Sequence, residues 1–155
     1  MGKTKIIIVT FLEPKPLSFE FVKWPNHITL VPYFQISNLN SFIKEITNLC
    51  QNLYKLSYKV GPIDYFGPGK NIKVSRVEKS NNLLHLQSSL LKIALKYDKD
   101  IGISFCESNY QPHITHNNVP YPQENGSGLI KEIYVVENLA PSTKDKKIVG
   151  IINLK

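Results

Sequence analysis

Apolar residues recur along this chain in two rhythms. From Lys5 to Leu12 they run almost unbroken and rich in isoleucine and valine, which reads as a buried strand ended by Pro14 and Pro16. Asn26 to Val31 reads as a second strand, entered through Pro25 and closed by Pro32. The rhythm then turns helical from about Leu39 to Tyr54. There Phe42, Ile43, Ile46, Leu49, Cys50 and Leu53 share a stripe behind Asn38, a suitable N-cap. Leu56 to Ile63 and Asn71 to Val77 read as strands joined by a Gly67-Pro68-Gly69 turn. A second helix, about Asn82 to Tyr97, carries Leu83, Leu86, Leu90, Ile93 and Ala94 on one stripe. A short strand near Pro112 to His116 follows, then a polar loop from Asn117 to Gly128. Leu129 to Glu137 and Lys147 to Leu154 close the chain as a strand pair. No break in composition marks a linker. The order predicts one α+β domain over residues 1–155, with two pseudo-symmetric lobes meeting at a central cleft. Each lobe is expected to be a small, mainly antiparallel sheet covered by a helix.

Charge adds a direction to this picture. The formal net charge is +7 and the pI about 9.3, which favours an anionic partner over a cationic one, although a lysine-rich solvated surface gives the same numbers. Arg76 is the only arginine, so contacts to phosphate by charge fall mostly to lysine. No apolar run is long enough to span a bilayer. The run Ile6–Leu12 lacks the small-residue cleavage site of a signal peptide. We therefore expect a cytoplasmic protein without membrane contact, acting as a monomer. Cys50 and Cys106 are too few for a disulfide framework and lack metal-ligand spacing, so both read as core thiols.

Two tetrapeptides carry the candidate chemistry. His27-Ile28-Thr29-Leu30 returns, nearly unchanged, as His113-Ile114-Thr115-His116. In a strand, residues i and i+2 share a face, so each copy presents an imidazole and a hydroxyl in the same direction. A polar pair facing one way from a buried strand is costly unless it lines a cleft or finds partners. Either histidine alone is better explained as structural; the pair, each with its threonine, points to two halves of one site. Histidine serves as either a general base or a general acid, so two of them suit acid–base catalysis. Thr29 and Thr115 each add a hydroxyl donor beside an imidazole. Trp24, Tyr33, Tyr110 and Tyr121 lie near the motifs and are candidates for stacking on a base, each against the alternative of packing.

The two motifs, the opening apolar strand, Tyr33-Phe34 after the first motif, the Leu83-Leu84-His85-Leu86 helix and Pro112 before the second motif together resemble the 2H phosphoesterase superfamily. These are the 2′-5′ RNA ligase and cyclic phosphodiesterase-like proteins. The resemblance covers nearly the whole chain. It implies His27 and His113 as catalytic residues and Thr29 and Thr115 as phosphate-binding residues, with no cofactor and no metal. It further implies an RNA or small nucleotide substrate. The activity it implies is opening of 2′,3′-cyclic phosphates or cleavage of 2′-5′ linkages, with 2′-5′ ligation as the reverse direction. A nucleotide- or RNA-binding module with little catalysis is the competing reading. Two departures stand out: His116 occupies a position usually apolar in relatives, and Asn117-Asn118 supply no arginine where several relatives carry a basic residue.

Other patterns carry less. His113 and His116 face opposite ways on a strand and cannot easily share a metal ion. His85 reads as an edge or packing histidine, and Lys70 as part of a hairpin turn. Gly2-Lys3-Thr4 lacks the earlier glycine and strand of a P-loop. Asn125-Gly126-Ser127 is a sequon that matters only outside the cell.

Overall fold

The computed structural model describes residues 2–102, 109–139 and 145–155, so Cys106 lies outside the described residues. The chain runs β1 (Thr4–Phe11), β2 (Glu20–Phe21), β3 (His27–Ile36), α1 (Leu39–Cys50), β4 (Leu56–Phe66), β5 (Ile72–Val77), α2 (Asn81–Tyr97), β6 (His113–Thr115), β7 (Ser127–Ile130), β8 (Glu132–Asn138) and β9 (Lys146–Asn153). It is an α+β fold built on two antiparallel sheets, ordered β2-β9-β8-β1-β3 and β6-β5-β4-β7. Each motif strand is therefore the edge of its own sheet, and the two edges neighbour each other.

Several boundaries depart from the sequence reading, among them the end of β4, which runs to Phe66 rather than Ile63. Pro32 does not close the second strand, which continues to Ile36. Between the pairs Ile6–Phe34 and Ile8–Val31, β3 carries one more residue than β1, and it gains another between Ile8–Val31 and Val9–Thr29. These bulges sit on an edge strand, where a missing proline N–H costs no ladder bond. The apolar stretch Leu129–Glu137 splits at Lys131. Its first part, β7, pairs with β4, and its second part, β8, pairs with β1 and β9. α1 stops at Cys50 rather than Tyr54.

Local chemistry explains the helices. The Asn38 side chain accepts the Ser41 N–H at 3.0 Å, and Ser80 does the same for Leu83 at 3.1 Å. Each satisfies an orphan donor of a first turn. The helices bury Phe42, Ile46 and Cys50 from α1, and Leu83, Leu86, Leu90, Leu91 and Ala94 from α2. These join Ile6, Ile8, Ile28 and Leu30 of the first sheet and Val60, Val77, Ile114 and Ile130 of the second in one apolar cluster. The opposite face of the first sheet is covered too. Ile7, Val9, Phe11, Tyr134, Val136 and Ile148 pack beneath Phe19, Phe21 and Trp24 from the β1–β3 connection. The motif residues thus have apolar material on both sides of their sheet.

A glycine helps shape the wall near the seam. Gly128 pairs directly with Tyr58 across β4 and β7, and an added Cβ would run into the phenol ring. Gly128→Ala should lower the free energy of unfolding by about 1–3 kcal/mol, the usual cost of overpacking. Chemical denaturation of the two proteins tests this, and equal midpoints would refute it.

Candidate active site

Register sets the aim of the first motif. His27 pairs with Phe11 and Thr29 with Val9, so both side chains share the face that carries the aromatic cluster, while Ile28 and Leu30 turn into the core. Trp24 lies against the imidazole of His27, with ring centroids 4.3 Å apart, and Phe11 meets it at 6.3 Å. In the second motif Ile114 is fully buried while His113 and Thr115 are half-buried on the other face. Phe66 meets His113 edge-on at 4.7 Å.

The two histidines are held alike. His27 Nδ1 lies 2.8 Å from the carbonyl oxygen of Pro25, and His113 Nδ1 lies 2.8 Å from that of Gln111. A carbonyl only accepts, so each Nδ1 carries the proton and each Nε2 is left with the lone pair. Both acceptors stand two residues before their histidine. Burial, opposed by the Pro25 hydrogen bond and assisted by the His113 charge, pushes His27 down to about 4. His113 is also lowered, chiefly by burial, against the Gln111 bond and with help from the Arg76 guanidinium.

Hydrogen bonds close the seam around them. Asn26 Nδ2 donates to the Asn118 carbonyl at 2.9 Å, and Asn118 N donates to Asn26 Oδ1 at 3.1 Å. Asn118 Nδ2 donates to the Trp24 carbonyl at 2.8 Å, and the Tyr110 hydroxyl donates to the Thr29 carbonyl at 2.8 Å. The residues flanking each motif thus bind the other motif's strand or loop.

The structure brings Thr29, Tyr110 and His113 to one cavity, His27 shares the face of Thr29 on β3, and Thr115 shares the face of His113 by strand alternation. Thr29, Leu30, Pro32, Phe66, Gly67, Tyr110, Gln111 and His113 line a mostly apolar cavity of about 390 Å³. The other stacking candidates are engaged by neighbouring side chains. Trp24 backs His27, the Lys5 ammonium sits 4.8 Å over Tyr33, and Tyr121 stacks on His116 at 4.8 Å. His116 lies 2.7 Å from the Ser75 hydroxyl, and Ser75 pairs with Ile114, so His116 is on the face opposite His113.

Sequence reasoning missed one charged group. Arg76 pairs across the ladder with His113. Its Nε donates to Asp64 Oδ2 at 2.6 Å, and its guanidinium lies 5.2 Å over the Phe66 ring. Asp64 is held below the usual carboxylate range by the Tyr65 N–H and by Arg76. This partly exposed pair contributes little stability, but it fixes the guanidinium beside the second histidine. The β4–β5 hairpin signal, read together with the Phe66 and Arg76 positions, was the available clue.

Comparison with solved structures finds the same fold at low sequence identity. The TT0787 protein of Thermus thermophilus aligns with a TM-score of 0.67 and 14% identity, over 97% of each chain. Escherichia coli LigT complexed with 3′-AMP aligns with a TM-score of 0.64 and 12% identity, over 99% of each chain. LigT complexed with ATP aligns with a TM-score of 0.61 and 12% identity, again over 99% of each chain. Comparison with curated protein sequences finds no match. Among the described residues, no helix is long and apolar enough to cross a membrane. The sequence profile of the 2′-5′ RNA ligase superfamily matches residues 11–132, and with this match the chain belongs to that superfamily, the 2H phosphoesterases.

Proposed function

We propose that this protein is a metal-independent phosphodiesterase acting on RNA 2′,3′-cyclic phosphate ends or on 2′-5′-linked oligonucleotides. The observation that carries the reading is the matched pair of Nδ1–H to carbonyl bonds, which supports two Nε2 atoms serving one phosphate from two sheets. His27 has the more depressed pKa and takes the base role; His113 takes the acid role. On a cyclic phosphate, His27 Nε2 removes a proton from water as the oxygen bonds to phosphorus. The bond to the 3′ oxygen breaks, and His113 Nε2–H protonates that oxygen, leaving a 2′-phosphate. Thr29 and Thr115 hydroxyls donate to the non-bridging oxygens, and Arg76 supplies positive charge nearby. The cavity beside Thr29 and His113 suits the adjoining nucleoside.

Turnover of an RNA oligonucleotide ending in a 2′,3′-cyclic phosphate, measured in EDTA, tests this directly. His27→Ala or His113→Ala should lower kcat by about 10²–10⁴-fold, the range of general acid–base catalysis, while unfolding stays cooperative. Thr29→Val and Thr115→Val should cost about ten- to a hundredfold, the worth of one hydrogen bond to a charged group. Activity in the wild type that disappears on chelation would refute the scheme.

The pH dependence has a definite sign. The base must be neutral, so kcat/KM rises with pH through the His27 value of about 4. The acid must be protonated, so kcat/KM falls through the His113 value, which lies below the ordinary 6.5. A bell with its maximum on the acid side of 6.5 is expected. Removing the Arg76 charge lets His113 hold its proton to higher pH. Arg76→Gln should therefore move the alkaline limb upward, and an unmoved limb would exclude this role for Arg76.

A further inference from the structure

Residues on either side of His27 in the chain line two different cavities. The residues after it, Thr29, Leu30 and Pro32, line the apolar cavity described above. The residues before it, Pro25 and Asn26, line a second cavity of about 440 Å³. Pro25 and Asn26 precede β3, and the Pro25 carbonyl lies 2.8 Å from His27 Nδ1, so this space adjoins the backbone that holds the imidazole. Their chemistry differs. The second cavity is walled by Lys15, Lys23, Asn26 and Asn118, with Glu13 on its rim, which gives two ammonium groups to one carboxylate.

Both lysines have charge to offer. The ion pairs among the described residues are Arg76–Asp64 and Lys96–Glu45, and neither Lys15 nor Lys23 takes part. Lys15 is steadied with its ammonium 5.5 Å over the Phe19 ring. The floor is rigid, because Asn26 and Asn118 exchange two hydrogen bonds there. Pro25 contributes to the wall and also holds His27 through its carbonyl, so the cavity lies beside a residue that orients the candidate base.

We infer that the cavity beside Pro25 and Asn26 is a second nucleotide subsite, in which Lys15 and Lys23 meet the phosphate of a neighbouring nucleotide. The inference rests on the phosphodiester reading above and narrows its substrate to an oligonucleotide of at least two units. An apolar space for one nucleoside and a basic space for the next divide the work between stacking and charge.

The test compares a nucleoside 2′,3′-cyclic phosphate with a 3′-5′ dinucleotide ending in the same cyclic phosphate. The wild type should favour the dinucleotide in kcat/KM. Lys15→Gln/Lys23→Gln should reduce that preference by about tenfold or more, equivalent to about 1.4 kcal/mol of selective binding. Equal losses on both substrates, or no wild-type preference, would overturn the inference. Binding is read separately in the His113→Ala background, as dissociation constants for the dinucleotide and the corresponding mononucleotide. If the wild type turns over neither substrate, the hydrolytic reading fails, and these constants alone decide the subsite. A dinucleotide preference that the lysine substitutions abolish supports it, and a preference absent or unchanged refutes it.

Discussion

Two imidazoles carried by different sheets can serve one phosphate only while the sheets keep a fixed separation. That constraint falls on a few hydrogen bonds at the seam. The Asn26 and Asn118 side chains join the residue before the first motif to the loop after the second, and the Tyr110 hydroxyl ties the approach to the second motif onto the Thr29 carbonyl. Neither motif strand has a second ladder partner of its own, since each is an edge. The side-chain bonds supply the cross-connection that a continuous sheet would otherwise give, without filling the cleft with backbone. Core packing alone could not set this spacing, because apolar contact is non-directional whereas a hydrogen bond fixes distance and angle.

Much of this was legible in the sequence. The alternation around His27 and His113 fixes which side chains leave the core, and the cap at Asn38 and the leucine stripes mark the helices. What escaped were consequences of long-range pairing. Pro32 reads as a strand end until β1 is laid beside it and the bulges show where the extra residues go. The division at Lys131 cannot be read from Leu129–Glu137, whose apolar run suits either sheet. Arg76 reached His113 only through strand register, over a separation that no local pattern spans. Trp24 and Tyr121 were recognised as near the motifs, but their packing against His27 and His116 depends on where loops fold back.

The two halves of the site are alike in backbone and unlike in surroundings. Each histidine bonds the carbonyl two residues before it and rests on an aromatic ring. His27 is wrapped by Trp24 and Phe11, whereas His113 stands beside a guanidinium and its carboxylate partner. Repetition of a motif supplies two equivalent groups, and their neighbours then separate their acidities. On the proposed reading, that difference sorts the base from the acid.

The choice of a peptide carbonyl as the partner of each Nδ1 has a consequence for the energetics of proton loading. A carbonyl orients an imidazole with a dipole, but it does not bring the full negative charge that a carboxylate would place there. The carbonyl bonds favour an imidazolium, but burial outweighs them, so both rings are pushed toward the neutral form. An incoming phosphate carries the missing counter-charge. On the proposed reading the substrate arms its own catalyst, since the general acid becomes charged in company with the anion it will protonate. The orientation of the rings, meanwhile, is written in the main chain, where no side-chain substitution can erase the acceptor.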